Sequence, residues 1–272
     1  MPVAYITGAA GGLGRAIAKS LIGEGYDIAM FDISTDALMA ARSEMPDDAT
    51  ILPVAVDVTD RASVDRAVTE AEEALAPCDL LVNNAGTFSV CAPMWECDPD
   101  LWQRDIRVNL IGTFLMCNRV TGGMVKRGRG RVVNIVSSGG VLDGHPFGTG
   151  YAASKSGVTR LTEGLSMELA EHGCQAFSVG PPAVATAMTK WLVDDPQAQT
   201  YRPLIKQIFE RGEDHPPEIV GNCVAALASG RADKLTGRYF LPHKDYEGVI
   251  AKADEVVAND QWVLRIAGYR KD

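Results

Sequence analysis

No stretch of this 272-residue sequence approaches the roughly 18 to 20 consecutive apolar residues of a membrane-spanning helix, so a membrane protein is not expected. Basic charge is also scarce. Lys and Arg number 26 against 35 Asp and Glu, a net charge of −9, and the basic run at 126–131 is short, so nucleic acid is not an expected partner. The six cysteines (Cys78, Cys91, Cys97, Cys117, Cys174, Cys223) form no CxxC pair, which argues against a zinc ribbon or a redox dithiol. They read as reduced packing residues of a cytoplasmic protein. His145, His172, His215 and His243 lack ligand spacing with one another or with cysteine, so no metal is expected. From Met1 the chain enters a strand-like run with no charged and apolar leader before it, and no secretory signal is expected.

What is present is an alternation. Short β-branched or apolar runs at 3–6, 27–31, 50–56, 80–82, 131–136 and 175–179 are separated by segments with helical apolar spacing, notably 15–23, 61–76, 101–126 and 154–171. A late run at 239–241 follows a helical segment at 217–229. The pattern predicts an α/β fold, a Rossmann-like doubly wound sheet of about seven mostly parallel strands with helices on both faces. The length suits one large domain over 1–243. Residues 244–272, with Trp262 and Tyr269, are expected to pack as a helix on that domain or on a neighbouring subunit. Two segments break the rhythm, 139–150 and the Met-, Trp- and Pro-bearing 183–215. Long irregular segments in compact domains tend to carry function, so 183–215 is expected to be a substrate lid.

The first run leads into Thr7-Gly8-Ala9-Ala10-Gly11-Gly12-Leu13-Gly14 and then a helical stretch. Backbone N–H groups and a helix N-terminus at such a turn can hold a pyrophosphate, and glycine lets the chain bend and approach it. Gly8, Gly12, Leu13 and Gly14 are the candidate contacts. The second run ends at Asp32, 18 residues after Gly14, where a carboxylate accepts hydrogen bonds from the adenosine ribose and repels a 2′-phosphate. No Arg or Lys at Gly11, Ile33 or Ser34 offsets that repulsion, so NAD is expected over NADP, with Ile33 beside Asp32 among the contacts. The alternative for Asp32 is a cap on the helix at 35–42, a role Ser34 fills equally well.

The spacing of Gly8, Gly12 and Gly14 resembles the Thr-Gly-x-x-x-Gly-x-Gly turn of the short-chain dehydrogenase/reductase family. Asp57-Val58, Asn83-Asn84-Ala85-Gly86, Asn109, Ser138 and Tyr151-Ala152-Ala153-Ser154-Lys155 then follow in that family's order, and the resemblance runs from about residue 3 to 243. It implies that Asp57 and Val58 hold adenine and that Asn84, Ala85 and Gly86 line the cofactor. It also implies that Asn109, Ser138, Tyr151 and Lys155 are catalytic, with Lys155 and Tyr151 also at the nicotinamide ribose. One departure is Pro181-Pro182-Ala183-Val184-Ala185-Thr186, where the family has glycine at the second position. Pro182 fixes φ and offers no N–H, yet the carboxamide contacts are still expected at Val184 and Thr186.

Hydride transfer between an alcohol carbon and nicotinamide needs a group that takes or gives the hydroxyl proton. Tyr151 is that candidate. A free tyrosine titrates near about 10, and Lys155, one helical turn on and on the same face, together with the cofactor's positive ring is expected to lower that by about 2 to 3 units. Ser138, 13 residues before Tyr151 at the end of the fifth run, is expected to polarise the substrate oxygen. Asn109, by resemblance, holds a water linking Lys155 to solvent. His145 and apolar residues such as Met94, Leu142, Phe147, Met188 and Trp191 are further candidates for substrate contact.

The expectation is an NAD(H)-dependent oxidoreductase that interconverts a secondary alcohol and its ketone. A non-catalytic NAD-binding regulator is one alternative, although that class tends to lose a catalytic residue and none is missing. A nucleotide-sugar epimerase or dehydratase is another, although it carries a longer C-terminal substrate domain than the roughly 30 residues left here. By resemblance a homo-oligomer is expected, dimer or tetramer, through 101–126 and 154–171, whose outer faces would otherwise expose Leu161 and Leu165.

Overall fold

A computed structural model describes residues 1–266. Seven strands, β1 (Val3–Thr7), β2 (Asp27–Asp32), β3 (Ile51–Ala55), β4 (Leu80–Asn83), β5 (Gly130–Ile135), β6 (Cys174–Val179) and β7 (Tyr239–Phe240), form one sheet in the order β3-β2-β1-β4-β5-β6-β7. Every neighbouring pair is parallel. Both faces are covered by helices, which is why these strands read as nearly continuous apolar runs instead of an alternation. β1 and β4 are buried along their whole length.

One face carries α1 (Gly12–Gly23), whose Ile17 and Leu21 share an apolar layer with Val220, Val224 and Leu227 of a later helix. The same face carries α2 (Thr35–Arg42) at its edge, with Leu38 and Ala41 in that layer, and the other face carries α3 (Arg61–Ala74), whose Val64 and Val68 pack with Met116, Val120 and Leu169. The expected single helix at 101–126 is instead α4 (Pro99–Ile106), a π-helical turn (Arg107–Gly112) and α5 (Thr113–Arg127). A Cβ on Gly112 would lie 2.7 Å from Val58 Cγ2, so the helix passes the end of β3 at a distance only glycine allows.

A four-residue helix, α6 (Ser138–Val141), follows β5, and α7 (Thr149–Leu169) begins five residues earlier than the apolar spacing predicts. The segment 183–215 is not irregular throughout. It holds three short helices, α8 (Ala187–Asp194), α9 (Pro196–Tyr201) and α10 (Leu204–Glu210), the first two capped by Thr186 and Asp195 side chains. α11 (Glu218–Ala228) precedes β7, and the C-terminal extension forms two helices, α12 (Tyr246–Ala251) and α13 (Ala253–Ala258), instead of one. Val256 and Trp262 pack on the α1 layer, and Tyr239 N–H donates to the Trp262 carbonyl at 2.8 Å, so this part of the extension docks on its own domain. Tyr269 lies outside the described residues.

β1 pairs with both β2 and β4, so the strand order reverses there and opens a crevice at the carboxyl ends of the strands. Among the described residues no helix is long and apolar enough to cross a membrane, and no group of three or more His, Cys, Asp or Glu is arranged to hold a metal.

Candidate active site

The crevice is a cavity of about 490 Å³. At one end lies the glycine turn. Gly8 takes a positive φ of 63°, and a Cβ there would come within 2.8 Å of Ala85 Cα, so β1 and the end of β4 touch through backbone. Thr7 Oγ1 accepts from both Asn84 N–H and Ala85 N–H at 3.0 Å, and the Asn84 side-chain amide donates to the Thr7 and Gly8 carbonyls. α1 has Gly11 as its N-cap with no side chain capping it, which leaves first-turn N–H groups turned to the cavity that Gly12, Leu13 and Gly14 line. Asp32 lines the same cavity. Its Oδ2 accepts from Ala10 N–H at 3.1 Å, which ties the turn to β2, while Ser34 serves as the α2 cap.

Twelve of the expected cofactor contacts meet in this cavity: Gly8, Gly12, Leu13, Gly14, Asp32, Asn84, Ala85, Gly86, Tyr151, Lys155, Val184 and Thr186. Pro182 lines it as well. Ile33, Asp57 and Val58 do not. Ile33 is 72% exposed, Asp57 Oδ1 accepts from the Thr59 backbone and hydroxyl at 2.8 and 2.7 Å, and Val58 is buried against Gly112. Thr186 has a further task as the α8 N-cap, in a reciprocal pair with Thr189.

At the other end, α7 brings Tyr151 and Lys155 to the cavity wall one turn apart. Lys155 Nζ is buried, donates to the Ile135 carbonyl of β5 at 2.9 Å and stands 5.9 Å from the Tyr151 ring centroid. Burial brings its pKa down to about 8, partly opposed by the negative charge of Asp105. Among the protein's own groups the balance at Tyr151 is upward. Loss of hydration raises it, a hydrogen bond with the Ser137 side chain pulls it down, Asp105 pushes it up and Arg202 pulls it down. The reason is geometric: Lys155 directs its charge at a strand carbonyl, so burial dominates at the phenol.

Asn109 is fully buried in the π turn and lies outside the cavity lining. Its Oδ1 accepts from Thr87 N–H at 2.7 Å, and its Nδ2 donates to the Thr87 carbonyl and to Ser154 Oγ, both at 2.9 Å. The side chain therefore clamps the loop after β4 to α7. Ser138 lines the cavity with Tyr151 and Lys155. The strand ends at Ile135, Ser138 opens α6, and its hydroxyl donates to the Pro181 carbonyl at 3.0 Å. Ser137, the α6 N-cap, accepts from Gly140 N–H at 3.1 Å and lines the same cavity.

Beyond Tyr151 the cavity turns apolar. Phe88 packs edge-on to Tyr151 with centroids 4.9 Å apart, and Leu192, Ile205 and Ile208 close the far side. Met188 lines it as expected, whereas Met94 and Leu142 are more than half or half exposed and outside it, and Phe147 and Trp191 back it from an adjoining apolar cluster. His145 lines the cavity, with Nδ1 3.0 Å from the Gly139 carbonyl. Burial, with a smaller contribution from Arg202, lowers its pKa to about 4, so the imidazole is neutral at pH 7. Phe88, Ser137 and Arg202 escaped the sequence reading, because only the folded loops bring them to Tyr151.

A glycine turn without side chains at a strand switch point, an acidic residue closing β2, and a buried Tyr–Lys pair on one helix define a nicotinamide-dependent oxidoreductase site. The model of the short chain dehydrogenase family matches residues 2–197, and the chain belongs to that family. It is 41% identical over 197 residues to a 2-dehydro-3-deoxy-L-rhamnonate dehydrogenase (NAD(+)) of Sphingomonas sp. (strain SKA58), covering 72% of this chain and 76% of that one. Among solved structures it superposes on levodione reductase with a TM-score of 0.81 at 30% identity, covering 88% of this chain and 95% of that one. It also superposes on a single-site variant of actinorhodin polyketide ketoreductase with NADPH, at 0.80 and 30%, covering 88% and 95%. The protein is thus an oxidoreductase acting between alcohol and carbonyl groups with a nicotinamide cofactor.

Proposed function

We propose that the protein is an NAD(H)-dependent dehydrogenase/reductase that interconverts a secondary alcohol and its ketone, with Tyr151 as general acid/base. The carrying observation is that one cavity joins the uncapped α1 turn and Asp32 at one end to Tyr151 and Lys155 at the other. The residues fit a dinucleotide: first-turn N–H groups suit a pyrophosphate, the cradle at Gly8 and Ala85 admits no side chain, and the Asp32 carboxylate suits ribose hydroxyls. That carboxylate disfavours a 2′-phosphate, which supports NAD over NADP. NAD, when bound, supplies the hydride acceptor. The chain's own residues do the rest: Tyr151 exchanges the hydroxyl proton, Ser138 orients the substrate oxygen, Lys155 together with the positive ring of the bound cofactor favours the ionised phenol, and Asn109 holds the loop and helix in register.

The domain carrying this chemistry spans 1–243, with 183–215 acting as the lid over the substrate end. Its partner is a small alcohol or ketone. All six cysteines are free, in keeping with a reducing, cytoplasmic setting. The test is a screen of secondary alcohols with NAD and, separately, NADP, following reduced nicotinamide, with Tyr151→Phe alongside. Turnover with NAD is expected in the wild type and at least about 10³-fold less in the variant, whose NADH binding stays within about threefold. Undiminished turnover by Tyr151→Phe would remove Tyr151 from the chemistry, and NADH binding without any turnover would favour a regulatory role.

A further inference from the structure

The substrate end of the cavity holds a cation that the hydride-transfer machinery does not use. Arg202, at the end of α9, lines the same cavity as Tyr151, and its guanidinium carbon lies 6.0 Å from the centroid of Phe88, the ring that packs on Tyr151. Only one ring therefore separates the guanidinium from the reacting phenol. Its Nη1 donates to the Pro146 carbonyl at 3.2 Å, and its Nε is buried with no hydrogen-bond partner. Among the described residues no carboxylate lies within ion-pair distance of it. Neighbouring His145 is neutral at pH 7 and brings no negative charge.

A half-buried guanidinium without a counter-ion is costly, and this chain has the acidic residues to supply one elsewhere: Arg131 is paired bidentately with Asp233, and Arg119 with Glu72. Arg202 faces Phe88 instead and shares the cavity with Leu192 and Ile205, apolar walls that strengthen its field there. A planar fork of N–H donors matches a carboxylate in two-point fashion.

We infer that Arg202 is an anion subsite and that the substrate is a hydroxy or oxo acid, its carboxylate on Arg202 and its carbonyl or hydroxyl carbon at Tyr151 beyond Phe88. This rests on the proposed reaction for the placement of the reacting carbon, but the carboxylate contact is separable from it. The apolar walls between the two ends suit a short carbon chain joining carboxylate and carbonyl. An uncharged ester of the same acid keeps that chain and loses the contact.

The NADH-loaded protein is titrated by calorimetry with 4-oxopentanoate and 5-oxohexanoate, each against its methyl ester, in wild type, Arg202→Met and Arg202→Lys. Charge-assisted recognition predicts that at least one acid binds about 10- to 100-fold more tightly than its ester in the wild type. Arg202→Met should abolish the preference while leaving ester binding unchanged, and Arg202→Lys should keep part of it. Equal or undetectable binding of acid and ester in the wild type, or a preference that survives Arg202→Met, overturns the subsite. The wild-type comparison stands even if a variant folds poorly. Formation of NAD is followed in the same mixtures: carboxylate preference without oxidation of NADH would sink the reaction reading and leave the subsite standing.

Discussion

Two adjacent serines divide one task between them. Ser137 Oγ accepts the Gly140 N–H and caps α6, Ser138 donates to the Pro181 carbonyl and so meets the segment that enters the lid, and both serines line the cavity. Ser138→Ala should lower kcat/KM by about 10²- to 10³-fold, the loss typical of a donor aimed at a reacting oxygen, and Ser137→Ala by about tenfold or less. Steady-state rates for the two variants decide it, and the opposite ranking would move the role to Ser137. The strand ends at Ile135, before Ser138, yet the α6 turn still brings both serines to the cavity. Glycines, Asp32, Tyr151 and Lys155 were legible because local chemistry ties them to their places. Arg202 and Phe88 were not, since each reaches the cavity only through the folding-back of a distant loop.

At the scale of elements, the sheet is held under the site by a chain of buried polar groups. Asn83 on β4 donates to Asn134 on β5 at 2.8 Å, and Asn134 donates to Thr162 on α7 at 2.8 Å, with Thr162 in turn donating to the Val158 carbonyl. All three residues are fully or almost fully buried. Asn134→Ala removes the middle of this chain, opens a small cavity and leaves the Asn83 amide with only the Cys117 sulfur, a 3.3 Å contact. The cost should be about 2 to 4 kcal/mol, read as a lower urea midpoint at unchanged slope. Asn134→Asp, which puts a buried carboxylate in the same place, should cost more; a loss below about 0.5 kcal/mol in either would mean that the chain contributes little. The strands and main helices were legible because burial on both faces leaves long apolar runs and three-four spacing. The π turn was not, because it answers to Val58 and Thr87, far off in sequence. Nor were α8, α9 and α10, each too short to show a period, the first two defined by caps that also occur in loops.

The whole molecule leaves apolar surface where a partner would cover it. Leu161 and Leu165, expected on the outer face, are instead half-buried, and Leu165 packs into the layer beneath α5 and α7. The exposed apolar side chains on these elements are Ile111, Phe114 and Met167, at 42%, 48% and 73%. The π turn and α7 are neighbours on one face of the sheet, so the three residues decorate a single helical layer. A patch presented by two long helices suits a two-fold contact, in which each copy offers the same surface to the other. Phe114, an aromatic side chain at such a centre, should act as an anchor worth about 2 kcal/mol or more. Sedimentation velocity at micromolar concentration should therefore show a homo-oligomer for the wild type. Phe114→Glu with Met167→Glu should shift it towards monomer by at least about 30-fold in dissociation constant while leaving NADH binding intact, because neither residue lines the cavity. A monomeric wild type would sink the interface, and a double variant that still assembles would move it to another face.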